Sequence, residues 1–429
     1  MSQKTSDMRA GSRDFRAGDR SVAGRPRLAL VLPGGGARSA YQVGVLRAIA
    51  SWCPPGTPLP FRVLCGTSAG GILAAVLASY APRFRQGAAA LDRVWRDFRV
   101  EQVFRTDASS VLRSGAHVAL ALLSGGWLLP PPRSLFDNSP LRQLLEWRVN
   151  FARIRQYLDA GHLDALAITA TSFASGEWMS FIDAAHPVQG WERPGQRGVA
   201  AELRLDHLMA SAAIPFLFPP VKMMGSYFGD GAMRQTTPLA PALRLGADRI
   251  LVIGVREPGR SPLGASLKVA PSFGQVFGFM LDTLFAEGLD SDLERLARIN
   301  GLLASAPGAE ILSGMRRVET LVLRPLGDLS AMAAAHARAM PRSVRALLRT
   351  MGAPADAGGQ LSSFLLFESA YTRPLIEMGF AEAQSRRAEL SAFLGLGAGR
   401  GSEQEQGAEA EQRGEADHVG YRGQDHAAG

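Results

Sequence analysis

Between Phe61 and Tyr80 the chain passes from an apolar run, Phe61-Arg62-Val63-Leu64-Cys65, to an Ala/Leu/Val helical pattern beginning at Ile72 through only Gly66-Thr67-Ser68-Ala69-Gly70. No other stretch constrains the fold as tightly. A buried strand that turns directly into a helix belongs to a sheet covered by helices. A serine at the tip of such a turn is forced into a strained backbone conformation, and only glycines or small residues are tolerated around it, here Gly66, Thr67, Ala69 and Gly70. The helix that follows points its N-terminal amides at charge developing on a reacting oxygen. Ser68 therefore reads as a nucleophile on a G-x-S-x-G elbow. The plain alternative is a small-residue connection without chemistry.

A second strand-to-helix passage precedes it. Leu28-Ala29-Leu30-Val31-Leu32 is a continuous apolar run, followed by Pro33-Gly34-Gly35-Gly36-Ala37-Arg38-Ser39 and a helical pattern through Tyr41, Val45, Leu46 and Ile49. Backbone amides left uncovered at a positive helix end form an anion cradle. A Walker loop would close on Gly-Lys-Ser/Thr, and a dinucleotide fingerprint would place glycine where Ser39 stands. What remains is an oxyanion hole, with amides near Gly35 and Gly36 facing the tetrahedral oxygen formed when Ser68 attacks an ester. A tight turn that needs glycine only for its dihedrals is the competing reading.

Farther along, Asp164–Ser172 and Trp178–Ile182 read as strands joined at Ser175-Gly176-Glu177, and Leu208–Ile214 as a short helix stopped by Pro215. Asp230 lies between glycines in Tyr227-Phe228-Gly229-Asp230-Gly231-Ala232, where the bland reading is a hairpin turn. Arg249–Val255 and Val318–Leu323 are further strand candidates. Helices are expected at Leu91–Phe104, Leu141–Val149, Leu239–Leu245, Phe273–Asn300, Ser330–Met351 and Ser362–Leu394. The alternation predicts an α/β fold, a largely parallel central sheet flanked by helices on both faces.

The 429 residues carry a formal charge of +8, but no aromatic-interleaved basic cluster accompanies it, so nucleic acid is not an expected partner. Two cysteines, Cys53 and Cys65, make neither a disulfide framework nor a zinc site, and no metal or cofactor is called for. They suit a reducing, cytoplasmic compartment. Residues 1–26 read as a disordered basic arm and 397–429 as a disordered acidic tail, leaving 27–396 as one catalytic domain with a helical C-terminal extension. The apolar segment Val111–Leu129, broken by Gly125-Gly126, is too short to span a bilayer. It is either core or a cap over the site, and with the net charge it suggests transient docking at a membrane surface. Oligomeric state has no signal.

Taken in order, Gly34-Gly35-Gly36-Ala37-Arg38, Gly66-Thr67-Ser68-Ala69-Gly70 and Asp230-Gly231-Ala232, helped by Ser211-Ala212-Ala213-Ile214-Pro215, resemble the patatin-like phospholipases, and the C-terminal stretch, including Asp292-Leu293-Glu294-Arg295 and Leu365-Leu366-Phe367-Glu368, is similar to their bacterial branch. The resemblance implies a Ser68–Asp230 dyad acting on a lipid acyl ester, with the oxyanion held by Gly34, Gly35, Gly36, Ala37 and Arg38. The family loop usually ends in glycine where this chain has Ser39, so a positive φ at that position would strain the hole. Asp230 would have to be desolvated to serve as base. Two alternatives stand beside this reading: a Ser-His-Asp esterase using His336, and a non-catalytic lipid-binding or regulatory protein of the same fold.

Overall fold

The computed structural model of the chain describes residues 26–107, 109, 120, 124, 134–257, 270–305, 315–353 and 359–396. The basic arm apart from its last residue, the acidic tail and nearly all of 111–129 lie outside them.

Ten strands form one sheet: β1 (Leu28–Leu32), β2 (Val63–Thr67), β3 (Ala165–Ser172), β4 (Trp178–Ala184), β5 (Trp191–Arg193), β6 (Gln196–Ala200), β7 (Val221–Met223), β8 (Ser226–Asp230), β9 (Arg249–Ile253) and β10 (Glu319–Leu323). The order is β10-β9-β1-β2-β3-β4-β6-β5, with β8 also on β3 and β7 on β8. From β10 through β3 every pairing is parallel. Beyond β3 the sheet is mixed, because β4 and β8 both run antiparallel to β3. The hairpin expected around Ser175-Gly176-Glu177 is the β3–β4 connection, with Thr171 opposite Trp178.

Continuous apolar runs suit the parallel half because both faces are covered. Leu28, Leu30 and Leu32 of β1 join one core with Leu64, Ile168, Leu251 and Ile253. Ala29 and Val31 turn to the other face, with Val63, Cys65, Ile250 and Val252. Helices α1 (Ala40–Trp52), α2 (Ala69–Ala78) and α3 (Phe84–Arg96) lie on the first face, and helix Ala240–Arg244 on the second. Helix Phe273–Ser305 serves both, through Phe277 and Leu281 to the first core and Leu289 and Leu296 to the second.

The C-terminal helices belong to the same body. Helix Ser369–Ser385 lies so close along α1 that a Cβ on Gly44 would sit 2.0 Å from Ile376 O, and one on Gly379 2.2 Å from Tyr41 O. Small residues at the crossing let the backbones meet, and Tyr41 Oη donates to Glu382 Oε2 at 2.7 Å across it.

Several helix bounds differ from expectation. The helix expected at Leu91–Phe104 is α3, which starts at Phe84 and stops at Arg96, leaving a 3-10 turn at Val100–Gln102. Its first two turns, rich in Gly and Ala, carry too little apolar contrast to register. The expected Ser330–Met351 helix is broken into Leu329–Ala335, a 3-10 turn Ala337–Ala339 and Arg342–Thr350. Pro341 disfavours helical geometry at Met340, which is extended at ψ 139°. Ser362–Leu394 likewise divides into Gln360–Leu365, Ser369–Ser385 and Arg387–Leu394. The short helix before Pro215 is Leu205–Ser211, earlier than expected. On the long helix, Met280 points outward, 48% exposed, while Phe277 and Leu281 are buried.

Candidate active site

Register alone brings two of the candidate residues together. β4 occupies one edge of β3 from Ala165 to Thr171, so β2 and β8 must share the other. β2 runs parallel to β3 and ends with Thr67 beside Thr169. β8 runs the opposite way and ends with Asp230 beside Ala170. The two strands therefore meet tip to tip, with Ser68 leaving one end and Asp230 closing the other. Close packing at the meeting point excludes any side chain on Gly231, whose Cβ would lie 2.3 Å from Thr169 O and 2.9 Å from Thr67 Cγ2.

Ser68 has φ 55° and ψ −130°, a region that non-glycine residues occupy only under strain. Its surroundings hold it there. A Cβ on Gly66 would meet Gly70 O at 2.5 Å, and one on Gly70 would meet Leu32 O at 2.1 Å, so both glycines are required by the approach of β1, β2 and α2. The Ser68 N–H donates to Ser211 Oγ at 2.8 Å, and Ser211 Oγ donates to Thr169 O at 2.6 Å. Ser68 is buried, at the N-terminal end of α2, where the helix dipole is positive.

Asp230 caps the 3-10 turn Gly231–Met233, its Oδ1 accepting from Ala232 N at 2.9 Å. The Asp230 N–H donates to Ala213 O at 2.9 Å, and Thr171 Oγ1 donates to Asp230 O at 2.9 Å. Its Oδ2 is buried with no hydrogen-bond partner among the described residues. Burial raises the carboxyl from 3.8 to about 7, against the lowering pull of the Ser68 side chain and of the Ala232 N–H. A carboxylate so placed is a far stronger base than an exposed one.

The glycine loop folds against Ser68. A Cβ on Gly34 would stand 2.8 Å from Ser68 Cβ and 2.6 Å from Phe285 Cε1. Gly36 carries the loop's positive φ, 53°, and a Cβ there would strike Phe364 O at 2.3 Å. Gly35 is extended, and Ala37 is fully buried. The strain expected at Ser39 does not arise: its φ is −64°, which any residue adopts. The Arg38 N–H closes back on Gly35 O at 3.1 Å. The Arg38 guanidinium is buried away from the loop's amides, donating to Asp282 Oδ1 at 2.7 Å, Ser363 Oγ at 2.8 Å and Ser330 Oγ at 3.1 Å, over the Phe364 ring.

Sequence reasoning assigned no role to Gln42 or Gln235. Gln42 Nε2 donates to Pro33 O at 3.0 Å and Ile253 O at 2.8 Å, tying the loop's start to β9. Gln235 Oε1 accepts from Thr67 Oγ1 at 2.5 Å. A lone amide, on the buried face of α1 at Gln42 or in the loop after Met233 at Gln235, gives no signal until its partners are known. His336 ends helix Leu329–Ala335; among the described residues it makes no hydrogen bond with Ser68 or Asp230 and does not line the cavity above Ser68.

That cavity is apolar and offers about 130 Å³ to the centre of a water-sized sphere. Gly36, Ser68 and Ala212 stand at its base, and aliphatic and aromatic side chains make its walls. The arrangement combines a strained hydroxyl at a helix N-terminus, a buried carboxylate with a lone pair to offer, a glycine loop beside them, and room for an apolar group.

Residues 30–243 match the family described as patatin-like phospholipase. A curated relative, the cGAMP-activated phospholipase of Pseudomonas aeruginosa, is 25% identical over 261 residues, covering 60% of this chain and 69% of that protein. Human GIVD cytosolic phospholipase A2 in complex with methyl gamma-linolenyl fluorophosphonate aligns at 14% identity and a TM-score of 0.42, over 86% of this chain and 59% of that one. VipD of Legionella pneumophila aligns at 14% identity and a TM-score of 0.31, over 86% and 72%.

Proposed function

Through residues 30–243 this chain belongs to the patatin-like phospholipase family, and from that premise we propose that it is a serine-dependent lipid acyl hydrolase working through Ser68 and Asp230. In this reading the Ser68 hydroxyl attacks the ester carbonyl while its proton passes to Asp230 Oδ2. The tetrahedral oxyanion is held by the amides near Gly35 and Gly36, with the α2 dipole behind them. Collapse expels the alcohol, which takes the proton back from Asp230. Water, activated by the same carboxylate, then releases the acyl group from Ser68.

The observation that carries this reading is the buried Oδ2 of Asp230, unpartnered among the described residues, its carboxyl raised to about 7, beside a serine held at φ 55°. A carboxylate needs no third residue to fix a tautomer, so the absence of a histidine from the contacts is no obstacle. The His336 alternative finds no support in the contacts of that residue.

Lipid esters lie in membranes, and transient docking at an anionic surface completes the proposal. Exposed Phe216 and Phe273 offer the apolar contact, 70% and 69% exposed, and both pack on Phe277. No helix among the described residues is long and apolar enough to cross a membrane. The direct test is hydrolysis of a panel of phospholipids, lysophospholipids, triacylglycerols and thioesters by wild type and Ser68→Ala. Release of fatty acid that disappears in Ser68→Ala supports the proposal; equal release by both proteins overturns it.

A further inference from the structure

The cavity above Ser68 has a direction, and the direction measures something. Ala69, Ile72 and Val76 line it from one face of α2, and Tyr80 lines it from the hydrogen-bonded turn that carries the chain on past Ala78, where the Tyr80 N–H donates to Leu77 O at 2.9 Å. The cavity thus follows the helix from Ser68 to Tyr80. Tyr80 is eleven positions on from Ala69, nine of them along α2 and two in the turn that continues it, and at about 1.5 Å per position that path is roughly 16 Å long.

α3 runs back along it as the opposite wall. A Cβ on Gly87 would sit 3.0 Å from Tyr80 Cβ, placing the start of α3 at the far end, while Leu91 and Val94 line the stretch nearer Ser68. The third wall is helix Ser139–Arg148, through Leu141, Leu144 and Leu145. Its C-terminal end lies at the far end too, since Asn150 N donates to Ser79 Oγ at 3.3 Å. There Trp147, 88% exposed, and Arg148 form the outer mouth.

We propose that this channel is an acyl ruler: it takes a single extended acyl chain along α2, its carbonyl carbon at Ser68 and its methyl end at Tyr80, and covers about 12–14 carbons. The length follows from C–C bonds of ~1.5 Å, which in a zigzag advance ~1.25 Å each along 16 Å. Carbons beyond that emerge at Trp147 and Arg148, where they meet water and a cation and gain no burial. The inference rests on the proposed hydrolase reading and adds which chain the site prefers and why.

The test is the chain-length profile of kcat/KM for p-nitrophenyl esters from C2 to C18, in wild type, Ile72→Trp and Leu144→Trp. Each methylene buried in the channel should raise kcat/KM roughly threefold to fourfold. The rise should stop at about C12–C14. Either tryptophan, entering from a different wall, should cut the ratio of dodecanoate to butyrate at least tenfold. A profile flat with chain length, one that climbs undiminished to C18, or variants that lower every ester by the same factor would overturn the ruler.

Ser68→Ala separates the two claims. If it keeps full activity, the hydrolase reading fails; if it is inactive while the wild-type profile is flat, only the ruler fails. An independent readout needs no turnover: Ser68→Ala should bind a fluorescent dodecanoic acid, and Ser68→Ala with Ile72→Trp at least tenfold more weakly. Equal affinity, or no binding by Ser68→Ala, counts against the channel.

Discussion

Asp230 carries the sharpest consequences at the scale of single residues. Asp230→Asn keeps the acceptor for Ala232 N but removes the proposed base, so hydrolysis should fall by ~10²–10⁴, whereas His336→Ala should stay within tenfold of wild type. Rates of both, with circular dichroism confirming the fold, check this; the opposite pattern would install His336 as the base. The raised carboxyl also sets a pH dependence. Only its ionised form accepts the serine proton, so kcat/KM should rise with pH and level off above a midpoint near 7. The same shift bears on stability with a definite sign. Between about pH 4 and 7 the folded protein holds a proton that the unfolded chain releases, so this group's contribution falls as pH rises through that window. Asp230→Asn has no such slope. The difference in unfolding free energy, variant minus wild type, should therefore grow with pH across the window by up to ~1.4 kcal/mol per pH unit. Urea titrations at pH 5, 6 and 7 measure it.

At the scale of elements, the glycine loop is held from outside the family-matched segment. Arg38 reaches Asp282 on helix Phe273–Ser305, Ser330 at the start of helix Leu329–Ala335 and Ser363 on helix Gln360–Leu365. Arg256 also pairs with Asp282, at 3.4 Å. Asp282→Ala would leave Arg38 buried without its carboxylate, a loss of about 3–5 kcal/mol that urea unfolding should detect. None of these partners was legible in the sequence, because side chains hundreds of positions apart share no local pattern. What was legible had a local cause. The apolar runs of β1, β2, β3 and β9 announced buried strands, and the glycines around Ser68 announced a tight passage. Helix ends were missed where a break depended on one proline, as at Pro341, or where Gly and Ala hid the start of α3. Ser39 misled because glycine was expected where the backbone is helical, while the positive φ sits three residues earlier at Gly36.

For the whole molecule, the proposed reaction centre is buried while the proposed lipid contact lies on the surface. Net charge of +8 favours anionic bilayers, and exposed Phe216 supplies apolar contact. Phe216→Ser should weaken co-sedimentation with anionic vesicles severalfold, and hydrolysis of a soluble short-chain ester should fall far less. Equal vesicle binding by variant and wild type would remove Phe216 from the docking surface. The central claim is nearer the core: one strained serine, facing one buried carboxylate, is the nucleophile. Treatment of the folded protein with an alkyl fluorophosphonate, followed by peptide mass spectrometry, tests it most directly. A single phosphonyl adduct is expected on Ser68, absent from Ser68→Ala and much slower to form in Asp230→Asn. Labelling at any other residue, or no labelling of the folded wild-type protein, would contradict it.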